Sequence, residues 1–363
     1  MNRSGEESVW LGFGPRDAVQ VRDGRVFDAG DAARTLRPWP STIAGAVGAA
    51  FGREVGAVRG ALPTRRDPVA ERWLPYFPLP ADVVPVERNP RRWTRLRPVE
   101  TGVATDLGGT DTLLLSAPGA GASPADCWWG AARLRDYLRG DAPAARAGAA
   151  ASPFTLERRT GIAREGRTVR DAHLYSSDFL RLRETPGERW VFAAQCVLTR
   201  ENTRTPQGPV RLGGEGRLAD VEVLDPAPAW PEPPEDFPGG RVLVYLATPG
   251  IWRVRAPDGR WRTTWRPPLP RHAVVRAAAI TGPDAVASAS PDGSGGVRGA
   301  WLRWAVPAGS VYLVQFGGGD PAGTALEWAR KTHGTALGAD QPDPIGRRLA
   351  TAGFGVVLTG RWQ

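Results

Sequence analysis

Lysine, methionine, histidine and cysteine are nearly missing from this chain of 363 residues, which carries Lys331 alone, one methionine, three histidines and two cysteines. Each shortage excludes something. With one lysine there is no Walker-type loop for nucleotide phosphates. His173, His272 and His333 fall at no metal-like spacing and the carboxylates are scattered, so neither a metal nor a cofactor is expected. Cys127 and Cys196 lie in apolar periodic segments with no redox spacing around them and read as reduced core residues. No run of about 18 apolar residues occurs, and the N-terminus lacks a basic region followed by an apolar one, so a soluble, cytoplasmic protein without a membrane partner is expected.

Arginine, glycine, proline and tryptophan are plentiful. The formal charge of +9 balances 47 basic residues against 38 acidic ones, and all the basic residues but Lys331 are arginine. Such a bias fits a GC-rich genome as well as a polyanionic partner, so the placement of the arginines has to decide. The length suits two domains, each with its own core.

Arg211-Leu-Gly-Gly-Glu-Gly-Arg217 sets Gly213, Gly214 and Gly216 between two arginines. Glycine lets backbone N–H groups turn outward and approach a ligand closely. An apolar run precedes the loop from Trp190 to Leu198. After it Ala219, Val221 and Val223 alternate with Asp220 and Glu222, which predicts a loop between strands. A substitution Gly214→Val is expected to disturb such a loop through positive φ. A second loop follows Arg347 and Arg348, where Gly353 and Gly355 lead into Val356 to Leu358.

In chain order, Val9 to Val21 predicts a strand bent at its glycines, and Arg22-Asp-Gly-Arg25 a turn with an arginine on each side. Pro40 opens a helix with Ile43, Ala46, Val47, Ala50 and Phe51 on one face; Ser41 or Thr42 is the expected N-cap, a place that also suits phosphate. Gly45 and Gly48 predict close packing of that helix on a neighbour. Residues 52–123 give no clear assignment. Pro124 to Leu138 predicts a helix with Cys127, Ala131, Leu134 and Leu138 in a stripe, and Ala142 to Ala151 a flexible excursion.

From Arg158 to Arg183 basic and aromatic residues interleave, with Arg159, His173, Tyr175 and Arg181 among them. This suits a single strand of nucleic acid, with arginine on phosphate and tyrosine on a base, or equally a strand with Tyr175 in the core and its arginines in water. Pro226 to Pro238 reads as a stiff linker, dividing domain 1–225 from domain 241–363 across a segment 226–240. Trp252, Trp261 and Trp265 stand among five arginines, as a base-stacking hairpin or as a strand pair with Trp–Arg packing. Asp320 and Pro321 predict the start of a helix. Each half orders its elements as a ferredoxin-like βαββαβ fold requires, giving an α+β protein of two ferredoxin-like, RRM-like domains with long insertions.

Six segments in order, among them Arg22 to Phe27, Pro40 to Ala46 and Arg211 to Arg217, resemble the third-subunit family of the Cmr complex, RAMP-superfamily proteins of type III-B CRISPR effectors. Val26 and Gly48 depart from that family's usual residues, the second removing one basic phosphate contact. The resemblance implies a non-catalytic antiviral-defence subunit that holds the 5′ repeat-derived tag of the guide (CRISPR) RNA, the crRNA, beside a large polymerase-like effector subunit and a backbone RAMP subunit. The RNA-binding residues expected are Arg22, Arg25, Ser41, Thr42, Arg159, Tyr175, Arg181, Arg211, Gly213, Gly214, Gly216, Arg217, Arg347, Arg348, Gly353 and Gly355. Two rivals remain: a RAMP-superfamily endoribonuclease processing repeat RNA, with His173 near Tyr175 as the catalytic candidate, and an adaptor that touches only protein.

Overall fold

A computed structural model describes residues 7–22, 32–33, 35–107, 112–124, 126–141, 152–183, 185–201, 204–291 and 297–362. The chain runs through β1 (Ser8–Pro15), α1 (Pro40–Phe51), β2 (Ala57–Arg66), β3 (Val83–Val86), β4 (Asn89–Arg95), α2 (Ala131–Leu138), β5 (Phe154–Glu165), β6 (Thr168–Leu182) and β7 (Arg189–Val197). It continues through β8 (Leu218–Val223), β9 (Arg241–Leu246), β10 (Ala273–Ala279), β11 (Val311–Phe316), α3 (Pro321–Thr332), α4 (Pro344–Thr351) and β12 (Val356–Arg361), with further strands between. Helices mixed with mainly antiparallel strands make this an α+β protein.

The chain forms two compact units, and neither is continuous. The first holds residues 1–73, 153–227 and 285–304; the second holds 74–152, 228–284 and 305–363. One crossing falls between Ala227 and Pro228, within the proline-rich stretch, but 74–152 packs with the C-terminal unit and 285–304 with the N-terminal one.

In the first unit the strand Val210–Arg211, β8, β1, β7 and β2 form an antiparallel sheet in that order. Central β1 buries Trp10, Leu11 and Phe13. Helix α1 packs against β2 and the Val210–Arg211 strand, burying Ile43, Ala46, Val47, Ala50 and Phe51 as the apolar spacing predicts, and ends at left-handed Gly52. Its N-cap differs from the expectation. Trp39 occupies that position and Pro40 is N1, so Ser41 and Thr42 lie inside the first turn with no side-chain cap bond. Proline at N1 moved the helix start two residues upstream, because its fixed φ and missing N–H suit that position. Gly45 also departs from expectation, since a Cβ there would meet nothing within 4 Å, and one at Gly48 would meet only the Arg53 carbonyl at 3.8 Å.

In the second unit β10, β11, β9, β12 and the short strand Thr335–Ala336 form a sheet in that order. Val242, Val244, Leu246, Tyr312, Val314 and Val357 build its core, with α3 laid across it through Ala325 and Ala329. Asp320 caps α3 by accepting from the Gly323 N–H at 2.9 Å, as the Asp-Pro pair predicts. Helix α2 starts only at Ala131, because Trp128–Gly130 pairs as a strand with Tyr76–Pro78; Cys127 is therefore not on it. Leu138 packs so closely on β12 that a Cβ at Gly360 would lie 2.8 Å from the Leu138 carbonyl.

The proline-rich stretch is a packed strap of the second unit. Pro228, Pro231, Pro234 and Phe237 are buried at every third position, the period of a polyproline II helix. The Pro231 carbonyl accepts from Nε2 of His333 at 2.6 Å, and Nδ1 of His333 accepts from the Thr359 N–H at 3.0 Å. Burial holds this imidazole at about 4, neutral at physiological pH.

Candidate nucleic-acid interface

The glycine loop of the first unit is shaped by one contact. Gly213 has φ +80°, and a Cβ there would collide with the Gln20 carbonyl, to which the Gly214 N–H donates at 2.7 Å. The loop closes by Leu212 N–H to the Arg217 carbonyl at 2.8 Å, with the Leu212 side chain fully buried beneath it. Glu215 and Gly216 follow with φ +56° and +65°. Gly214 is outside the left-handed region and has only ordinary contacts to Gln20. The demand for glycine therefore falls on Gly213, not on Gly214. Among the described residues the N–H groups of Gly213, Glu215 and Gly216 make no hydrogen bond, and Oε1 of Gln20, beside Gly214, is buried without a partner.

Beside the loop, β5 and β6 pair with Glu157 opposite Phe179, Thr155 opposite Arg181 and Arg159 opposite Ser177. The two-residue period of a strand sets Glu157, Arg159, Phe179 and Arg181 on one face. Arg159 and Arg181 both donate to Glu157, at 2.7 Å each. Asp17 accepts from Arg159 at 2.9 Å, Arg181 at 2.8 Å and Arg217 at 2.8 Å. The Phe179 ring lies between the Arg159 and Arg217 guanidiniums, each 4.7 Å from its centre. Hydrogen bonding from Arg159 and then from the Ala18 N–H holds the Asp17 carboxyl far below its usual range, and bonds from Arg159 and then Arg181 lower Glu157. Three cations against two anions leave one net positive charge, and every member of the network is part-exposed.

A family model described as CRISPR-associated protein (Cas_Cmr3) matches residues 11–362. The chain belongs to the Cas_Cmr3 family. It is similar to a chain of "Cryo-EM structure of the Type III-B Cmr-beta bound to cognate target RNA", with 13% identity, a TM-score of 0.47, and 97% of this chain and 96% of that one covered. It is similar also to a chain of "Cryo-EM structure of the Type III-B Cmr-beta bound to cognate target RNA and AMPPnP, state 1", with 15% identity, a TM-score of 0.44, and 85% and 86% covered. No curated protein matches.

The remaining expected residues of this Cas_Cmr3 chain fall in several places. Arg211 is exposed and makes no ion pair among the described residues. Arg22 is exposed two positions after Gln20, bridging to Thr35. Arg25 lies outside the described residues, and of His173 only the backbone position on β6 is described. Tyr175 is half-buried opposite Gly161, its ring lying where a Cβ of Gly161 would be. Ser41 and Thr42 are half-buried in the first turn of α1.

Arg347, Arg348, Gly353 and Gly355 belong to the second unit, where the glycine loop is committed to packing. The N–H groups of Gly353, Phe354 and Gly355 donate to Ala350, Leu349 and Pro249, and Thr248 Oγ1 donates to the Gly353 carbonyl. Arg347 donates to the carbonyls of Gln341 and Pro342, while Arg348 is exposed. The tryptophan-rich segment forms the strand pair Trp252–Arg255 with Trp261–Thr264, in which Arg253 lies over Trp261 and reaches buried Asp343, the cap of α4. That is the Trp–Arg packing alternative.

Asp17, Gln20, Glu157 and Phe179 were not legible in the sequence as site residues. An acid beside Arg16 and another ahead of two arginines carry no motif. The β5/β6 register sets Glu157 beside Phe179, and the bridge of Val19 to Leu180 brings the segment of Asp17 and Gln20 to them.

Proposed function

We propose that this chain is the non-catalytic, RNA-binding subunit of a type III-B CRISPR effector, holding the 5′ repeat-derived tag of the guide RNA at the 211–217 loop. Its partners are the large polymerase-like subunit and the backbone RAMP subunit, in the cytoplasm; no helix among the described residues is long and apolar enough to cross a membrane. The observation that carries this is the loop itself. Three unbonded backbone N–H groups and exposed Arg211 stand together on one glycine loop, the arrangement that receives a phosphate. Arg159, Arg181 and Arg217 act mainly as a brace, since Asp17 and Glu157 already hold them.

The strand orders support a ferredoxin-like origin for both units. Counting only the four main strands of each unit's sheet in chain order, β8, β1, β7 and β2 lie as 4-1-3-2, and β12, β9, β11 and β10 repeat that order. Each has kept one crossover helix, α1 or α3. Of the three histidines, buried His333 has both ring nitrogens engaged and is no candidate for catalysis, which leaves exposed His272 and the rival reading's His173.

Salt dependence tests the site. Arg211→Ala should flatten the log–log slope of single-stranded RNA affinity by about 0.7, the share of one phosphate contact. Arg139→Ala, whose arginine pairs with Glu232, should leave it unchanged. Equal changes in both variants would assign the binding to diffuse charge.

A further inference from the structure

The geometry points to a second site for single-stranded nucleic acid, on the β3/β4 hairpin of the second unit, where a cavity takes one unpaired base and a row of arginines takes the adjoining phosphates. It goes beyond the glycine-loop reading and shares no residue with it. Between positions 87 and 97 five arginines face one acid, Glu87. Arg95 is spent at the root, donating to buried Asp82 at 2.8 Å. Asp82 also accepts from the Tyr137 hydroxyl at 2.6 Å, and the Arg95 guanidinium lies 4.4 Å from the centre of the Tyr137 ring. Arg88, Arg91, Arg92 and Arg97 are exposed and make no ion pair among the described residues. The hairpin thus projects uncompensated charge from a buried anchor.

Next to these arginines lies a cavity of about 230 Å³ lined by Trp93, Arg95, Arg97, Asp141, Leu313 and Trp362 among others. It is smaller than the roughly 300–1,000 Å³ of a drug-sized pocket, which suits a single planar group. Trp362 is fixed there by donating Nε1–H to the Val314 carbonyl at 3.1 Å, with Arg241 over its ring at 5.2 Å. Trp93 is half-buried and held in register opposite Pro85. Two tryptophans beside free arginines match the stacking surface and charged track of single-strand binders. Asp141 favours an occupant that carries a hydrogen-bond donor. It can accept from the exocyclic amino group of a base, a donor that the carboxylate and aromatic side chains of an acidic protein segment lack.

The test is equilibrium binding of a short oligocytidylate RNA to the full chain across a salt series. Trp93→Ala should weaken binding roughly 5- to 150-fold, the loss of one stacked base, with the salt slope unchanged. Trp93→Phe, which keeps an aromatic face and guards against a folding defect, should restore most of the affinity. Arg91→Ala with Arg92→Ala should flatten the slope by about 1.4, two phosphates' worth. Free cytidine monophosphate should compete weakly, having no chain to lay along the arginines; competition equal to the strand's would assign the cavity to a free nucleotide and overturn the proposal. Unchanged binding by folded Trp93→Ala also overturns it, while a slope still sensitive to Arg211→Ala in the same assay leaves the glycine-loop reading standing. If these variants bind RNA normally but drop out of the assembled complex, the hairpin faces protein instead and the proposal fails.

Discussion

Two of the chain's arginine clusters handle their charge in opposite ways. Around Asp17, Arg159, Arg181 and Arg217 are tied to two carboxylates and to one aromatic ring, so their positions are fixed and their charge is mostly spent. On the β3/β4 hairpin Arg95 alone is tied to an acid among the described residues, at the buried root, and the other arginines are exposed. A braced network shapes a backbone loop; a free row supplies field. Counting arginines along the sequence does not distinguish the two, because the difference lies in which acids the fold brings within about 3 Å.

The sharpest way to break the comparison is at the hairpin root. Asp82→Ala leaves Arg95 and the Tyr137 hydroxyl without their acceptor in a site where Asp82 is 2% exposed, and should cost about 3–5 kcal/mol of stability in denaturant unfolding. Asp82→Asn should recover part of that by keeping an oxygen acceptor. If Asp82→Ala unfolds at the wild-type midpoint, the hairpin is not anchored there.

The glycine loop gives a smaller effect and a finer test. Gly213→Ala must place a Cβ against the Gln20 carbonyl at positive φ, and should cost roughly 1–3 kcal/mol and weaken RNA binding. Gly214→Ala should be close to neutral for stability. A reversed order of the two variants, measured by thermal unfolding, would place the strained position wrongly.

The smallest change concerns the brace. Asp17→Asn removes a part-exposed acid and should cost about 1 kcal/mol or less, because ion pairs open to solvent are screened. It frees guanidinium charge, so non-specific RNA affinity should rise at low salt. Both carboxyls have folded-state values below their unfolded ones, so the network's contribution is complete above the unfolded carboxylate range and is lost as pH falls below it. Asp17→Asn should therefore flatten the acid limb of a stability profile, and an unchanged limb would show that the brace is energetically idle.

Local chemistry was legible in the sequence wherever neighbours in the chain decide it. The apolar face of α1, the Asp320 cap of α3 and the loop at 211–217 follow from period, capping and glycine content, whereas the alternation of β8 breaks at its end, where Val223 is exposed and Glu222 half-buried. The family was legible too, through motifs spread along the chain. The start of α1 was misjudged because Pro40 outranks Ser41 and Thr42 as a start signal, and the proline-rich strap because a stiff stretch looks alike in solvent or packed on a sheet.

What the sequence by itself determined is the helices α1 and α3, the cationic character and the presence of a glycine turn, since these rest on composition and on residues within a few positions of one another. Only the tertiary structure decided that residues 74–152 join the C-terminal unit, that Gly213 rather than Gly214 needs to be glycine, and which arginines are neutralised. Each of those depends on atoms some 13 to 200 positions apart in the chain, such as Arg95 with Asp82 or Arg217 with Asp17, and charge compensation in water is decided by distances that no local pattern encodes.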